Sequence, residues 1–95
     1  MACLFVDLDG TFFYWGTDDP LPNARENVLK LLGQWHQVIF TTYRPDAARC
    51  QKVLAKLGIP TPMVLANIQN PRFVVNDDGA YAINHVRDAP WRPVK

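Results

Sequence analysis

Two aspartates two positions apart, Asp7 and Asp9, directly follow the apolar run Cys3-Leu4-Phe5-Val6 and precede Gly10 and Thr11. Carboxylates this close repel each other when both are ionised, and an interior position disfavours their charge. A fold keeps such a pair where a cation or cationic side chain compensates it, or where the charge does chemistry. Two more polar clusters end apolar runs in the same way. Gln37-Val38-Ile39-Phe40 leads into Thr41, Thr42, Tyr43 and Arg44, and Phe73-Val74-Val75 leads into Asn76, Asp77, Asp78 and Gly79. Clustered carboxylates with no histidine or cysteine beside them favour a hard cation, foremost Mg²⁺ bound partly through water. A cation beside hydroxyls and main-chain N–H groups favours a phosphate. In that setting one carboxylate can attack phosphorus and form an acyl phosphate. A second, two residues on, can protonate the leaving group and later activate water.

The elements that must hold these groups follow from periodicity. Residues 2–7 form a continuous apolar run, which predicts a strand covered on both faces. Residues 10–20 mix aromatics with Gly16 and Asp18-Asp19-Pro20, which predicts a loop or hairpin excursion. Asn23 followed by Glu26 has the spacing of a capping box, and Val28, Leu31, Leu32 and Trp35 share one face of the helix it would open. Residues 37–42 predict a second strand. Pro45 suits the first turn of a second helix, with Ala47, Cys50, Val53, Leu54 and Leu57 facing inward and Gly58 and Pro60 ending it. Met63-Val64-Leu65 predicts a third strand and Phe73-Val74-Val75 a fourth. Tyr81 to Val86 is compatible with an edge strand, and Pro90 and Pro93 oppose structure beyond it. Strands alternating with helices predict an α/β domain with a parallel sheet. Ligands of such sheets bind beyond the carboxyl ends of the strands. Right-handed crossovers bring all three polar strand ends to one edge.

The bulk numbers bound the rest. Ninety-five residues make one domain, 1–95, with little core to spare for a second lobe. A hydrophobic content of 48% with 20% charged residues is globular rather than disordered. A net charge of +1 lends no support to a polyanion-binding surface. No apolar run reaches the length of a membrane span. The apolar start lacks a basic n-region and runs straight into two aspartates, unlike a signal peptide. Cys3 and Cys50 are then expected as free thiols in a reducing cytoplasm, and no zinc spacing is present.

Asp7-Leu8-Asp9-Gly10-Thr11 after an apolar strand resembles motif I of the haloacid dehalogenase superfamily of phosphatases and phosphotransferases. Ile39-Phe40-Thr41-Thr42-Tyr43-Arg44-Pro45 is similar to its motif II, an apolar strand ending in Thr or Ser, often as Thr-x-Arg. Val74-Val75-Asn76-Asp77-Asp78 is similar to its acidic motif IV. The resemblance spans residues 2–80. It implies a three-layer α/β/α, Rossmann-type core around a small parallel sheet and a Mg²⁺-dependent phosphomonoesterase. Asp7 would be nucleophile and metal ligand. Asp9 would be general acid/base, lending its carbonyl to the metal, and Gly10 and Thr11 would shape the turn beside the substrate. Thr42 would bind phosphoryl oxygens, with Thr41 as the alternative, Tyr43 offering its N–H and Arg44 a bidentate contact. Asp77 would hold Mg²⁺, with Asp78 a ligand or a neighbour of one. The residues 10–20 would be the flap beside the site.

Two features depart from the family pattern. Residues 66–72 contain no lysine where the family carries its third motif; Arg72 is the nearest cation, with Lys52 and Lys56 on the preceding helix as further candidates. Neither 10–20 nor 59–72 is long enough for a cap domain, and capless members act on large or extended substrates. A nucleotide or nucleic-acid end is the substrate that the aromatic run Phe12-Phe13-Tyr14-Trp15 suggests, by stacking on a base; packing in a small core is the plainer role for the same rings. The plain role of Thr41-Thr42 is that of β-branched strand residues, and that of Asp77-Asp78-Gly79 a turn. Arg44 is equally suited to a surface ion pair, and Trp91 to packing the tail on the domain. The competing function is a catalytically weakened domain that binds Mg²⁺ and phosphate, or a protein partner. A receiver-like phosphoacceptor fits less well, because its acidic pair precedes the acceptor strand.

Overall fold

Three short parallel strands and two helices build the computed structural model of the chain, which describes residues 1–83, 85 and 90–93. They follow in the order β1 (Cys3–Asp7), α1 (Ala24–Gly33), β2 (Gln37–Thr41), α2 (Ala47–Lys56) and β3 (Met63–Leu65). The sheet order is β1-β2-β3. Asp7 stands opposite Thr41, and Thr41 opposite Leu65, so the carboxyl ends of all three strands share one edge. The ladder runs one residue further on each side. Leu8 N–H donates to the Thr41 carbonyl at 3.1 Å, and Thr42 N–H to that of Leu65 at 3.0 Å.

Burial in β1 alternates: Leu4 and Val6 point inward, Cys3 and Phe5 outward. Leu4, Val6, Val38 and Phe40 join Val28, Leu31, Cys50 and Leu54 from the helices in a single core. Helix α1 packs on β2 and α2 on β3. Two successive right-handed crossovers in the same direction put both helices on the same side. The described residues therefore form two layers, a sheet and one layer of helices. On the opposite face Phe5, Met63 and Leu65 remain exposed, so β1 is covered on one face where its apolar run predicted two. A run of four apolar residues does not by itself distinguish these cases.

The helix ends correct two local expectations. Asn23 is the N-cap of α1, but its φ of 65° is left-handed and its side chain makes no capping bond; a capping box needs the extended backbone that aims the side chain at the first turn. Trp35 falls beyond the end of α1 and is exposed, instead of continuing the apolar face. In α2 the N-cap is Asp46, which accepts from Arg49 N–H at 3.1 Å, and Pro45 precedes the cap rather than occupying the first turn. Gly58 ends α2 with a φ of 86°, and a Cβ there would stand 3.0 Å from the Arg25 guanidinium, which donates to the Leu57 carbonyl. A side chain at 58 would be strained by the left-handed backbone, and the guanidinium would have to give way to its Cβ.

The fourth strand is not formed. Residues 73–75 carry no ladder, and Val75 is 99% exposed. Three apolar residues between Pro71 and Asn76 read as a strand only if a neighbour accepts them, and nothing in their spacing says whether one does. Tyr81 to Ile83 likewise carry no strand, and residues 84 and 86 of that expected edge strand lie outside the described residues. Trp91 does pack the tail onto the domain: it is buried in the core, and its Nε1 donates to His85 Nδ1 at 3.4 Å.

Phe12 is fully buried and meets Phe13 and Phe40 edge-on, with centroids 5.0 and 5.5 Å apart. Phe12→Ala removes both ring contacts and opens a cavity, which is expected to cost about 3–5 kcal/mol in urea unfolding. Val75→Ala is expected to stay within about 0.5 kcal/mol of the parent, as at an exposed site without pairing. A cost well above that at Val75 would mean that residues 73–75 do pair in solution.

Candidate functional site

The site begins where β1 ends. The Leu8 side chain is fully buried, and its carbonyl accepts from the N–H groups of Thr11, Phe12 and Phe13 at 3.3, 2.9 and 2.8 Å. The chain thus wraps around one oxygen immediately after the strand. Gly10, at φ 84°, makes the reversal, and its N–H donates to the Phe13 carbonyl at 2.9 Å. Leu21 N–H then donates to Phe12 O and Tyr14 N–H to Asp19 O, which folds 10–20 back as a flap. The aromatic run divides by this geometry: Phe12 and Phe13 point into the core, while Tyr14 and Trp15 lie on the surface.

Asp7 and Asp9 each face an arginine. Arg72 Nη1 donates to Asp7 Oδ1 at 2.7 Å and to Thr41 Oγ1 at 3.0 Å, while Nη2 donates to the Ile68 carbonyl at 3.2 Å. One guanidinium therefore joins the ends of β1 and β2. Its Nε is buried and finds no partner among the described residues. Of the cations considered from sequence, Arg72 is the one that meets Asp7.

Arg44 grips Asp9 with two prongs, Nε to Oδ2 at 3.0 Å and Nη2 to Oδ1 at 2.7 Å. Asp9 Oδ1 also accepts from Gly16 N–H at 3.3 Å. The Asp9 side chain is only 3% exposed, so the pair is largely withdrawn from water. Arg44 also reaches the flap, through Nη1 to Asp18 Oδ1 at 2.7 Å and Nη2 to the Thr17 carbonyl. Its guanidinium carbon stands 5.2 Å from the centre of the Phe13 ring. The hydrogen bonds that Arg44 donates to Asp9 raise its pKa further above its ordinary value, and Asp18 adds to this against the opposing effect of burial. Hydrogen bonding to Arg44 lowers the Asp18 pKa, helped by the charges of Arg44 and Arg49 against partial desolvation. Sequence spacing did not disclose Asp18 as a member of this cluster; its Asp-Asp-Pro setting signalled only a loop.

The two threonines separate. Thr41 Oγ1 is the hydroxyl tied through Arg72 to Asp7. Thr42 is fully buried, and its Oγ1 accepts from Arg44 N–H at 3.0 Å, which shapes the link between β2 and α2. Tyr43 is half-exposed above that link, and Thr11 lies in the turn after Asp9. Asp77 and Asp78 are exposed and make local turn bonds, Asp78 N–H to Asp77 Oδ1 and Gly79 N–H to Asp78 Oδ1. Among the described residues no group of three or more His, Cys, Asp or Glu is close enough to hold a metal. The four-carboxylate cluster expected from sequence is thus not brought together. Mg²⁺ needs only one or two carboxylates, completed by water and substrate oxygens, and that smaller requirement fits Asp7, whose side chain is one-third exposed.

An open cleft of about 390 Å³ lies between the flap at Gly16–Asp18 and the start of α2 at Arg44, Asp46, Arg49 and Cys50. Burial pushes the Cys50 thiol up from its usual range, which keeps it protonated and a poor nucleophile at neutral pH. No described helix is long and apolar enough to cross a membrane.

Arg44→Ala leaves Asp9 buried without its partner and is expected to cost about 3 kcal/mol or more in chemical unfolding. Arg44→Lys should recover only part of this, because an ammonium cannot reproduce the two-pronged grip. The Asp18 contact adds a pH dependence. Its folded pKa lies below the unfolded value near 3.8, so its contribution is complete above that pH and is lost as pH falls through the folded value. The stability gap between the parent and Asp18→Asn should therefore be constant from pH 7 to about 5 and close below 3.8; a gap unchanged down to pH 3 would refute the assignment. Comparison with family models, curated proteins and solved structures finds no match to the chain.

Proposed function

We propose that the chain is a Mg²⁺-dependent phosphohydrolase of haloacid dehalogenase type, working without a cap through an aspartyl-phosphate on Asp7. The observation that carries this reading is the Arg72 guanidinium, which holds Asp7 and the Thr41 hydroxyl together at 2.7 and 3.0 Å. It supplies a cation at the position where the sequence lacks the usual lysine. In the proposed cycle an Asp7 oxygen attacks phosphorus and the phosphorus–ester oxygen bond breaks. Asp9, protonated from solvent once one of its oxygens has left Arg44, gives that proton to the departing alkoxide, which leaves as the alcohol. Asp9 then removes a proton from water as the water oxygen attacks the acyl phosphate, releasing inorganic phosphate and free Asp7. Proton transfer at Asp9 requires one of its oxygens to leave Arg44 as the substrate enters. Thr41, Arg72 and the Tyr43 N–H are assigned to the phosphoryl oxygens. Mg²⁺ would be held by the Asp7 carboxylate and the Asp9 carbonyl and would neutralise phosphoryl charge when bound.

A second reading, a domain that binds phosphate without turnover, draws on the engagement of both Asp9 oxygens by Arg44. A panel of phosphomonoesters with and without EDTA separates the two. EDTA-sensitive phosphate release supports the enzyme, whereas measurable Mg²⁺ binding with no release from any ester supports the binding domain. In the enzyme, Asp7→Asn is expected to abolish turnover without loss of fold, and retained Mg²⁺-dependent hydrolysis would sink the mechanism. Arg72→Ala is expected to lower kcat by about 10²–10³-fold, as for loss of one charge-stabilising donor, with Arg72→Lys recovering part of it.

A further inference from the structure

Trp15 and Tyr43 form an exposed aromatic pair with ring centroids 5.3 Å apart and planes tilted by 48°. The indole is 67% exposed and the phenol 40%. Single aromatics on a surface need no explanation, and Trp35, exposed at the end of α1, is such a case. The Trp15–Tyr43 pair differs in how it is held. Trp15 sits one residue before Gly16, whose N–H donates to Asp9 Oδ1 at 3.3 Å. Its Cδ1 lies 3.6 Å from where a Cβ on Gly10 would stand, so the ring leans on the turn that follows Asp9. Tyr43 sits between Thr42 and Arg44, which are joined by the bond from Arg44 N–H to the Thr42 side-chain hydroxyl, and Arg44 itself grips Asp9. Two segments far apart in sequence thus bring their rings together beside the turn that follows Asp9, and the neighbours of both rings bond to Asp9.

From this geometry we infer that the Trp15–Tyr43 pair is a stacking platform for the base of a nucleotide whose phosphate is bound beside Asp7. The inference rests on the phosphohydrolase reading for the position of the phosphate and adds the substrate class. A nucleoside 5′-phosphate carries its phosphate one sugar away from a flat π-surface. The chain offers cationic and hydroxyl groups at Asp7 and an open ring pair at the neighbouring turn. Stacking tolerates any base, because every base has a π-face, and the platform should accept purines and pyrimidines alike, with purines favoured by area. Stacking on ring faces favours the presence of a base rather than its identity. The base can belong to a free nucleotide or to the 5′ end of a strand.

The test uses the full chain with Asp7→Asn, so that binding is read without turnover. Calorimetry with Mg²⁺ compares AMP with ribose 5-phosphate, which has the same phosphate and sugar but no base, and with a short 5′-phosphorylated oligonucleotide. AMP is expected to bind about tenfold more tightly than ribose 5-phosphate, and adding Trp15→Ala should erase that difference while leaving the ribose 5-phosphate affinity unchanged. Tyr43→Ala should reduce it in the same direction. Tighter binding of the oligonucleotide than of AMP assigns the base to a strand end, and equal or weaker binding assigns it to a free nucleotide; both keep the platform. Equal affinity for AMP and ribose 5-phosphate, absence of binding by both included, overturns the platform, as does a base preference that survives Trp15→Ala. Absence of hydrolysis by the parent protein alongside a Trp15-dependent base preference would overturn only the phosphohydrolase reading.

Discussion

Two carboxylates at the end of one short strand must each find a positive partner, and the rest of the structure is arranged around how they do so. Asp9 is almost fully withdrawn from water and takes both prongs of Arg44; Asp7 is one-third exposed and takes one prong of Arg72. Charges in such positions are costly when unpaired and much less so when hydrogen-bonded to a guanidinium. The pairs also close the fold. Arg44 joins the β2–α2 link to the turn after β1 and to the flap. Arg72 brings the segment after β3 back across the ends of β1 and β2. A small sheet of three strands acquires in this way contacts at its carboxyl edge that its short ladders do not supply.

The same pairings set the chemistry. An arginine that bridges Asp7 and Thr41 leaves cationic character beside a carboxylate that stays one-third exposed, and the proposed reading draws on that environment. Arg44 has the opposite effect on Asp9, occupying both of its oxygens. The flap is tied to that grip through Asp18 and Thr17, so movement at Asp9 and movement of the flap are mechanically joined. The helices cover one side of the sheet only. Phe5, Met63 and Leu65 on the other side give the sheet an apolar surface that the described residues leave in contact with water.

The element order β1-α1-β2-α2-β3 was legible in the sequence because each piece carries its own local signal. Apolar runs of four and three residues, Cys3–Val6 and Val38–Phe40, marked β1 and β2, the spacing of Val28, Leu31, Cys50 and Leu54 marked the inner faces of the helices, and Gly58 marked the stop of α2. The turn at Asp7–Thr11 was legible for the same reason, since Gly10 permits the left-handed backbone that reverses the chain. Local signals failed where the outcome depends on a neighbour. Phe73-Val74-Val75 has strand composition but no pairing among the described residues, and Asn23 and Glu26 have capping spacing but the wrong backbone at Asn23.

By itself, then, the sequence determined that an acidic pair would stand at the end of a parallel strand beside hydroxyls, because that placement follows from short-range periodicity and turn chemistry. Only the tertiary structure decided which groups meet the pair. Arg44 reaches Asp9 across 35 positions and Arg72 reaches Asp7 across 65. It also turned Thr41 rather than Thr42 toward Asp7, recruited Asp18, left Asp77 and Asp78 in a surface turn, and set Trp15 against Tyr43. Such contacts depend on how whole elements pack and on where a charge can be neutralised at least cost, and no spacing along the chain encodes that.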